Sequence, residues 1–178
     1  MKKSYQYLTS FFSEKTTDPQ KMGRKLIKLL RKDPENTEAA LQLIKADTNV
    51  NVKDERGFTP LILAVITGHE SLVTALLDKG ARVNDADENG ITALMFATHT
   101  RGSAIAKILA KHGADPDIKD RSGYSADRYA VGYSDVELMN AFEEVRERKR
   151  IAQIKEAAEA GTSRKRRILR PLKKAEQI

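Results

Sequence analysis

The side chains able to do chemistry in this 178-residue sequence are few: three histidines, one aspartate that returns at a fixed interval, and runs of Lys and Arg near both ends. No two of His69, His99 and His112 have the close helical spacing that paired zinc-binding imidazoles need. With no cysteine there is no thiol nucleophile, thiolate metal cluster or disulfide framework. Asp54, Asp87 and Asp120 resemble a carboxylate set for metal or acid–base work, but each opens an Asp-x-x-Gly tetrapeptide. An Asp there hydrogen-bonds the amides of its own turn, and the Gly supplies a positive φ. They read as turn formers on three successive turns. No Gly-rich phosphate loop is present, since the turn glycines recur only as the turns do. The residues call for no catalytic group, no metal and no cofactor.

The elements that must position these residues follow from a 33-residue period. Asp54-Glu55-Arg56-Gly57, Asp87-Glu88-Asn89-Gly90 and Asp120-Arg121-Ser122-Gly123 are spaced by it, and Gly80-Ala81 returns as Gly113-Ala114. Ala64 returns as Ala97 and Ala130, and Leu72 as Ile105 and Leu138. Residues 58–90 and 91–123 align without a gap at nine identities, too many at structurally distinct positions for chance. After each turn comes a Thr or Ser suited to a helix N-cap (Thr59, Thr92, Ser125), followed once by Pro60 at the first helical position. A short helix over 60–67 is expected, then a second over 70–79 with Gly80 as its left-handed stop. Leu61, Ala64, Leu72, Val73, Leu76 and Leu77 lie at helical spacing and form the expected seam.

The chain therefore resembles the ankyrin-repeat family. Thr59-Pro60-Leu61-Ile62-Leu63-Ala64, Gly68-His69 and the stretch from Leu76 through Gly80-Ala81 to Asn84 stand where that family's signature has them. One departure is clear: the family's His after Thr-Pro-Leu is Ile62 here, then Met95 and Arg128. Its hydrogen bonds between neighbouring turns should be missing, which bears on stability more than on fold. The implied fold is an all-α repeat solenoid of helix-turn-helix units with β-turn or hairpin tips, capping half-repeats and helical basic extensions. An N-terminal aromatic and basic extension occupies residues 1–21 and a repeat domain 22–145, with repeats near 22–53, 54–86, 87–119 and 120–145. A helical extension follows over 146–161, with Gly161 as its stop, then a flexible basic tail over 162–178. The basic helix around Lys25 to Lys32 replaces the signature in a capping repeat. In the last unit Asp127 stands where Leu61 and Leu94 stood, as an exposed solenoid end requires.

The resemblance implies a non-enzymatic module that binds another protein through turn tips and the concave face of the inner helices, with no small-molecule substrate. Carried onto this sequence, the contact positions are Glu55, Arg56, Phe58, Ile66, Thr67, Glu88, Asn89, Ile91, His99, Thr100, Arg121, Ser122 and Tyr124. Phe58, Ile91 and Tyr124 form one column, read either as half-buried packing against the next turn or as an apolar anchor strip. His69 is expected to hydrogen-bond at a helix start. His112 sits near a helix end, where partial positive charge is favoured.

Charge is segregated. Residues 1–32 carry nine basic against two acidic side chains, 33–142 eleven against seventeen, and 143–178 twelve against six. The pI near 9.5 thus belongs to the ends, and the middle is acidic. Arg164, Lys165, Arg166, Arg167, Arg170, Lys173 and Lys174 read either as a solvated tail or as a nuclear-localisation or anionic-polymer patch. Tyr5, Tyr7, Leu8, Phe11 and Phe12 would pack on the first repeat or lie on a membrane. The alternative function follows: an adaptor whose basic termini bind nucleic acid or anionic membrane with the repeats as spacer, including a bacterial effector acting in a host cell. The longest apolar run, 61–66, is too short to span a bilayer, and no apolar segment follows Lys2-Lys3 as in a signal peptide. A cytoplasmic site is expected, with nuclear or host-delivered placement as alternatives.

Overall fold

The computed structural model describes residues 18–100, 103–131 and 136–168, with backbone alone at 103, 131 and 161–168. Eight helices lie among them: α1 (Pro19–Lys32), α2 (Thr37–Lys45), α3 (Pro60–Ile66), α4 (Glu70–Asp78), α5 (Ala93–His99), α6 (Ser103–Lys111), α7 (Ala126–Val131) and α8 (Val136–Ile168). Their starts obey local capping chemistry. Asp18 accepts from the Gln20 N–H, Thr59 from Ile62 and Thr92 from Met95, with Pro19 and Pro60 at first helical positions. Gly80 and Gly113 follow the outer helices at φ +88° and +84°, the left-handed stop that glycine adopts without steric penalty.

Helices pair within each repeat, α1 on α2, α3 on α4 and α5 on α6. The inner row α1, α3, α5 and α7 stacks in order, and the outer row α2, α4 and α6 does likewise. Leu61, Leu72, Val73, Leu76, Leu94 and Leu109 are fully buried between the rows. Burying each such side chain contributes about 1.5–3 kcal/mol relative to leaving it in water. Ile62 and Met95, which stand at the signature His position, are equally buried. Apolar packing thus replaces the missing imidazole bonds, and other groups link the turns. The Glu88 N–H donates to the Arg56 carbonyl and the Arg121 N–H to the Asn89 carbonyl. Asn51 accepts from the Arg82 N–H and donates to the Gly80 carbonyl, and Asn84 repeats this with Asp115 and Gly113.

Three expectations need correction. α1 begins at Pro19, ahead of the boundary drawn at 22, because Asp18-Pro19 is itself a cap and first-turn pair. α8 does not stop at Gly161 but runs to Ile168. A single helical Gly costs only about 1 kcal/mol, and the Ala and Glu residues before it favour helix. His69 occupies an N-cap position without a side-chain cap bond, and its buried Nε2 has no partner among the described residues. The backbone does the capping there, as the His69 carbonyl accepts from the Leu72 and Val73 amides.

The chain divides into two compact units at Val145 and Arg146. In the first, Leu138, Phe142 and Val145 of α8 are buried. In the second, residues 147–160 are exposed throughout. No helix among the described residues is long and apolar enough to cross a membrane.

Candidate binding surface

Three tips share one hydrogen-bond frame. Oδ1 of Asp54 accepts from the Arg56 and Phe58 amides, that of Asp87 from Asn89 and Ile91, and that of Asp120 from Ser122 and Tyr124, all at 2.8–2.9 Å. Each tip also closes with one backbone bond, Asp54 N–H to the Phe58 carbonyl and its equivalents at Ile91 and Tyr124. The carboxylates are therefore consumed by the turn, and the side chains between them point away from fold duty. Glu55, Arg56, Glu88, Asn89, Arg121 and Ser122 are all exposed.

The column behind the tips is not uniform. Phe58 and Ile91 are half-buried against the core, whereas Tyr124 is 40% exposed. Phe58 meets Phe96 edge-on at 5.9 Å, and the Arg31 guanidinium lies 5.4 Å from its ring centre. Tyr124 meets Tyr129 edge-on at 6.1 Å and carries Arg128 at 4.5 Å. Ring contacts of this kind add about 0.5–1.5 kcal/mol each beyond area burial. On the inner helices Ile66 is 40% exposed, and His99 reaches Tyr129 at 6.2 Å. Thr67 and Thr100 turn their hydroxyls back onto helix carbonyls at Leu63 and Phe96.

Phe96 and Tyr129 were not among the sequence candidates. They belong to a column, Leu63, Phe96 and Tyr129, that the same 33-residue period could have found. Tyr129 also donates to Oδ2 of Asp120 at 2.9 Å. The Tyr124 amide first, then the Tyr129 hydroxyl and the Ser122 amide, hold the Asp120 carboxyl below its ordinary value near 3.8, against the effect of burial. Burial, then the Asp120 carboxylate, pushes the Tyr129 phenol above its ordinary value near 10.

Among the described residues no group of three His, Asp or Glu side chains is arranged to hold a metal. His112 bonds the Ile108 carbonyl and lies 3.9 Å from Asp78. Of the basic tail, Arg164, Lys165, Arg166 and Arg167 lie on the α8 backbone. Arg170, Lys173 and Lys174 fall outside the described residues, as does the aromatic stretch around Tyr5 and Phe12.

A comparison with curated proteins gives no match. A family model described as ankyrin repeats, in three copies, matches residues 28–120, from the second half of α1 to the last tip. With half of the sequence matched, the three tips repeating one set of hydrogen bonds and the helices stacking in two rows, the chain belongs to the ankyrin-repeat family.

Proposed function

We propose that this chain, like ankyrin repeats in general, is a protein–protein interaction module, binding a partner protein through its turn tips and the exposed face of its inner helices. One observation carries the reading: at each of three tips the backbone and one aspartate satisfy the turn by themselves, leaving the side chains at 55–56, 88–89 and 121–122 without structural work. A row of side chains on a rigid frame, spaced by the repeat, is pre-organised for recognition and loses little entropy on binding. Ile66, Thr67, His99, Thr100 and the column of Phe58, Ile91 and Tyr124 extend the row onto the inner helices, with Tyr124 the most accessible aromatic anchor.

The test is affinity for a captured partner, measured with three chains: wild type, a tip variant (Arg56→Ala, Asn89→Ala, Arg121→Ala), and a variant with Arg164, Lys165, Arg166 and Arg167 changed to Ala. The tip variant should lose at least about tenfold, or 1.4 kcal/mol, with an unchanged melting curve. Loss in the tail variant alone would favour the adaptor reading instead.

A further inference from the structure

Arg24, Lys28, Arg31 and Lys32 fall at helical spacings of four, three and one along α1, which places them along one side of the helix. Across from them the first tip presents Lys53 and Arg56. The two walls enclose a groove of about 670 Å³ that Ile27 also lines. Its acidic lining residues are Asp54 and Glu55, so the groove holds six cations against two carboxylates. Asp54 is already committed: Oδ1 takes two tip amides and Oδ2 pairs with Arg31. Among the described residues, Arg31 is the one cation of the six in an ion pair, and Lys53 donates instead to the Ala86 carbonyl. Like charges on facing walls repel, and a recessed site between them concentrates the field that attracts an anion.

We propose that this groove binds an acidic segment of a partner protein, with Arg24, Lys28, Lys32 and Arg56 meeting its carboxylates. The proposal rests on the interaction-module reading and gives it a ligand chemistry. The groove's volume is that of a pocket enclosing a small ligand, typically about 300–1,000 Å³, which suits a few peptide residues. Ile27 supplies apolar contact for a side chain between the acidic ones. Base stacking is disfavoured, because Arg31 lies over the Phe58 ring and Phe96 packs against it.

The experiment titrates a dye-labelled hexaglutamate peptide into the full chain by fluorescence anisotropy at low salt. The arms are wild type, Lys28→Glu with Arg56→Glu, a control pair on the outer row (Lys45→Glu with Lys111→Glu), and the tail variant. The groove pair should weaken binding by at least about tenfold, with the outer pair near wild type and melting curves unchanged. Binding should fade as salt rises to about 0.5 M, where the Debye length is roughly 4 Å. Amide shifts on titration should cluster at 24–32 and 53–56. The proposal is overturned if the groove pair binds as wild type does, if the tail variant alone abolishes binding, or if a single-stranded oligonucleotide or phosphatidylserine vesicle of equal charge displaces the peptide. Should the groove pair fold poorly, Lys28→Gln with Arg56→Gln gives the same comparison at half the charge change. Peptide binding that depends on the groove, in a chain whose partner affinity ignores the tips, would keep this inference and sink the module reading. The reverse pattern would do the opposite.

Discussion

Asp54 and Asp120 occupy equivalent positions two repeats apart, and they differ in one oxygen. Each Oδ1 captures two amides of its own tip. The Oδ2 of Asp54 turns back to Arg31 of the preceding repeat, while that of Asp120 turns to Tyr129 within its own repeat. The repeat thus dictates the frame, and the second oxygen follows whatever the neighbouring inner helix provides. At the N-terminal side that helix is basic and borders a cationic groove. At the other side it is aromatic, and Tyr124, Tyr129 and His99 knit into a cluster. Partner chemistry varies along an array whose backbone does not.

The glycines of the same two tips break this comparison most sharply. A Cβ on Gly57 would come within 2.8 Å of the Glu88 amide nitrogen, whereas one on Gly123 would meet nothing within 4 Å beyond its chain neighbours among the described residues. Both have φ near +80°, so Ala costs about 1–2 kcal/mol of backbone strain at either site. At Gly57 the next tip must also move, threatening the bond from Glu88 N–H to the Arg56 carbonyl. We expect Gly57→Ala to destabilise by about 3 kcal/mol and Gly123→Ala by about 1. Equal losses in denaturant melts would mean that the tips do not stack as described.

Next in size is Asp54→Ala, which removes two tip bonds and the Arg31 ion pair. It should cost about 2 kcal/mol and should exceed the loss on Asp120→Ala, since no following tip leans on the last turn. Chemical denaturation of both variants ranks them, and a larger loss at Asp120 would contradict the ordering.

The smallest effect concerns Tyr129. The raised folded value of Tyr129 means that its bond to Asp120 stabilises fully below about pH 10 and is lost as pH rises further, through the raised folded value. The lowered Asp120 value works on the acid side: its contribution is present above about pH 3.8 and disappears as pH falls through the depressed folded value. Tyr129→Phe should therefore lower Tm by a few degrees, about 2–4 °C per kcal/mol lost. That gap should stay constant from about pH 5 to 9 and close above about pH 10. A gap that persists in alkali would remove the hydrogen bond from the account.

The tips, the caps and the glycine stops were legible because each depends on residues within five positions of one another. Asp54 with Gly57, or Thr59 with Pro60, carries its own geometry. What stayed hidden depends on contacts across repeats. Nothing local in Arg24 or Lys28 announces Lys53 and Arg56 on the opposite wall. Asn51 read only as a repeat end, because its partners, Gly80 and Arg82, are about 30 residues on. Phe96 and Tyr129 escaped because their column begins with Leu63, and three different side chains at one position look like core variation. Gly161 misled for the opposite reason: in a helix whose described side chains beyond Arg146 are all exposed, a local stop signal was outweighed by its helix-forming neighbours.

The most direct test of the account maps where a bound partner touches the chain. Backbone amide shifts of the full-length protein, recorded with and without a purified partner, should change at 55–58, 88–91 and 121–124, with a second group at 66–67 and 99–100. Changes confined to residues 1–17 or 146–178, with the three tips unmoved, would contradict the claim that the repeat frame itself is the binding surface.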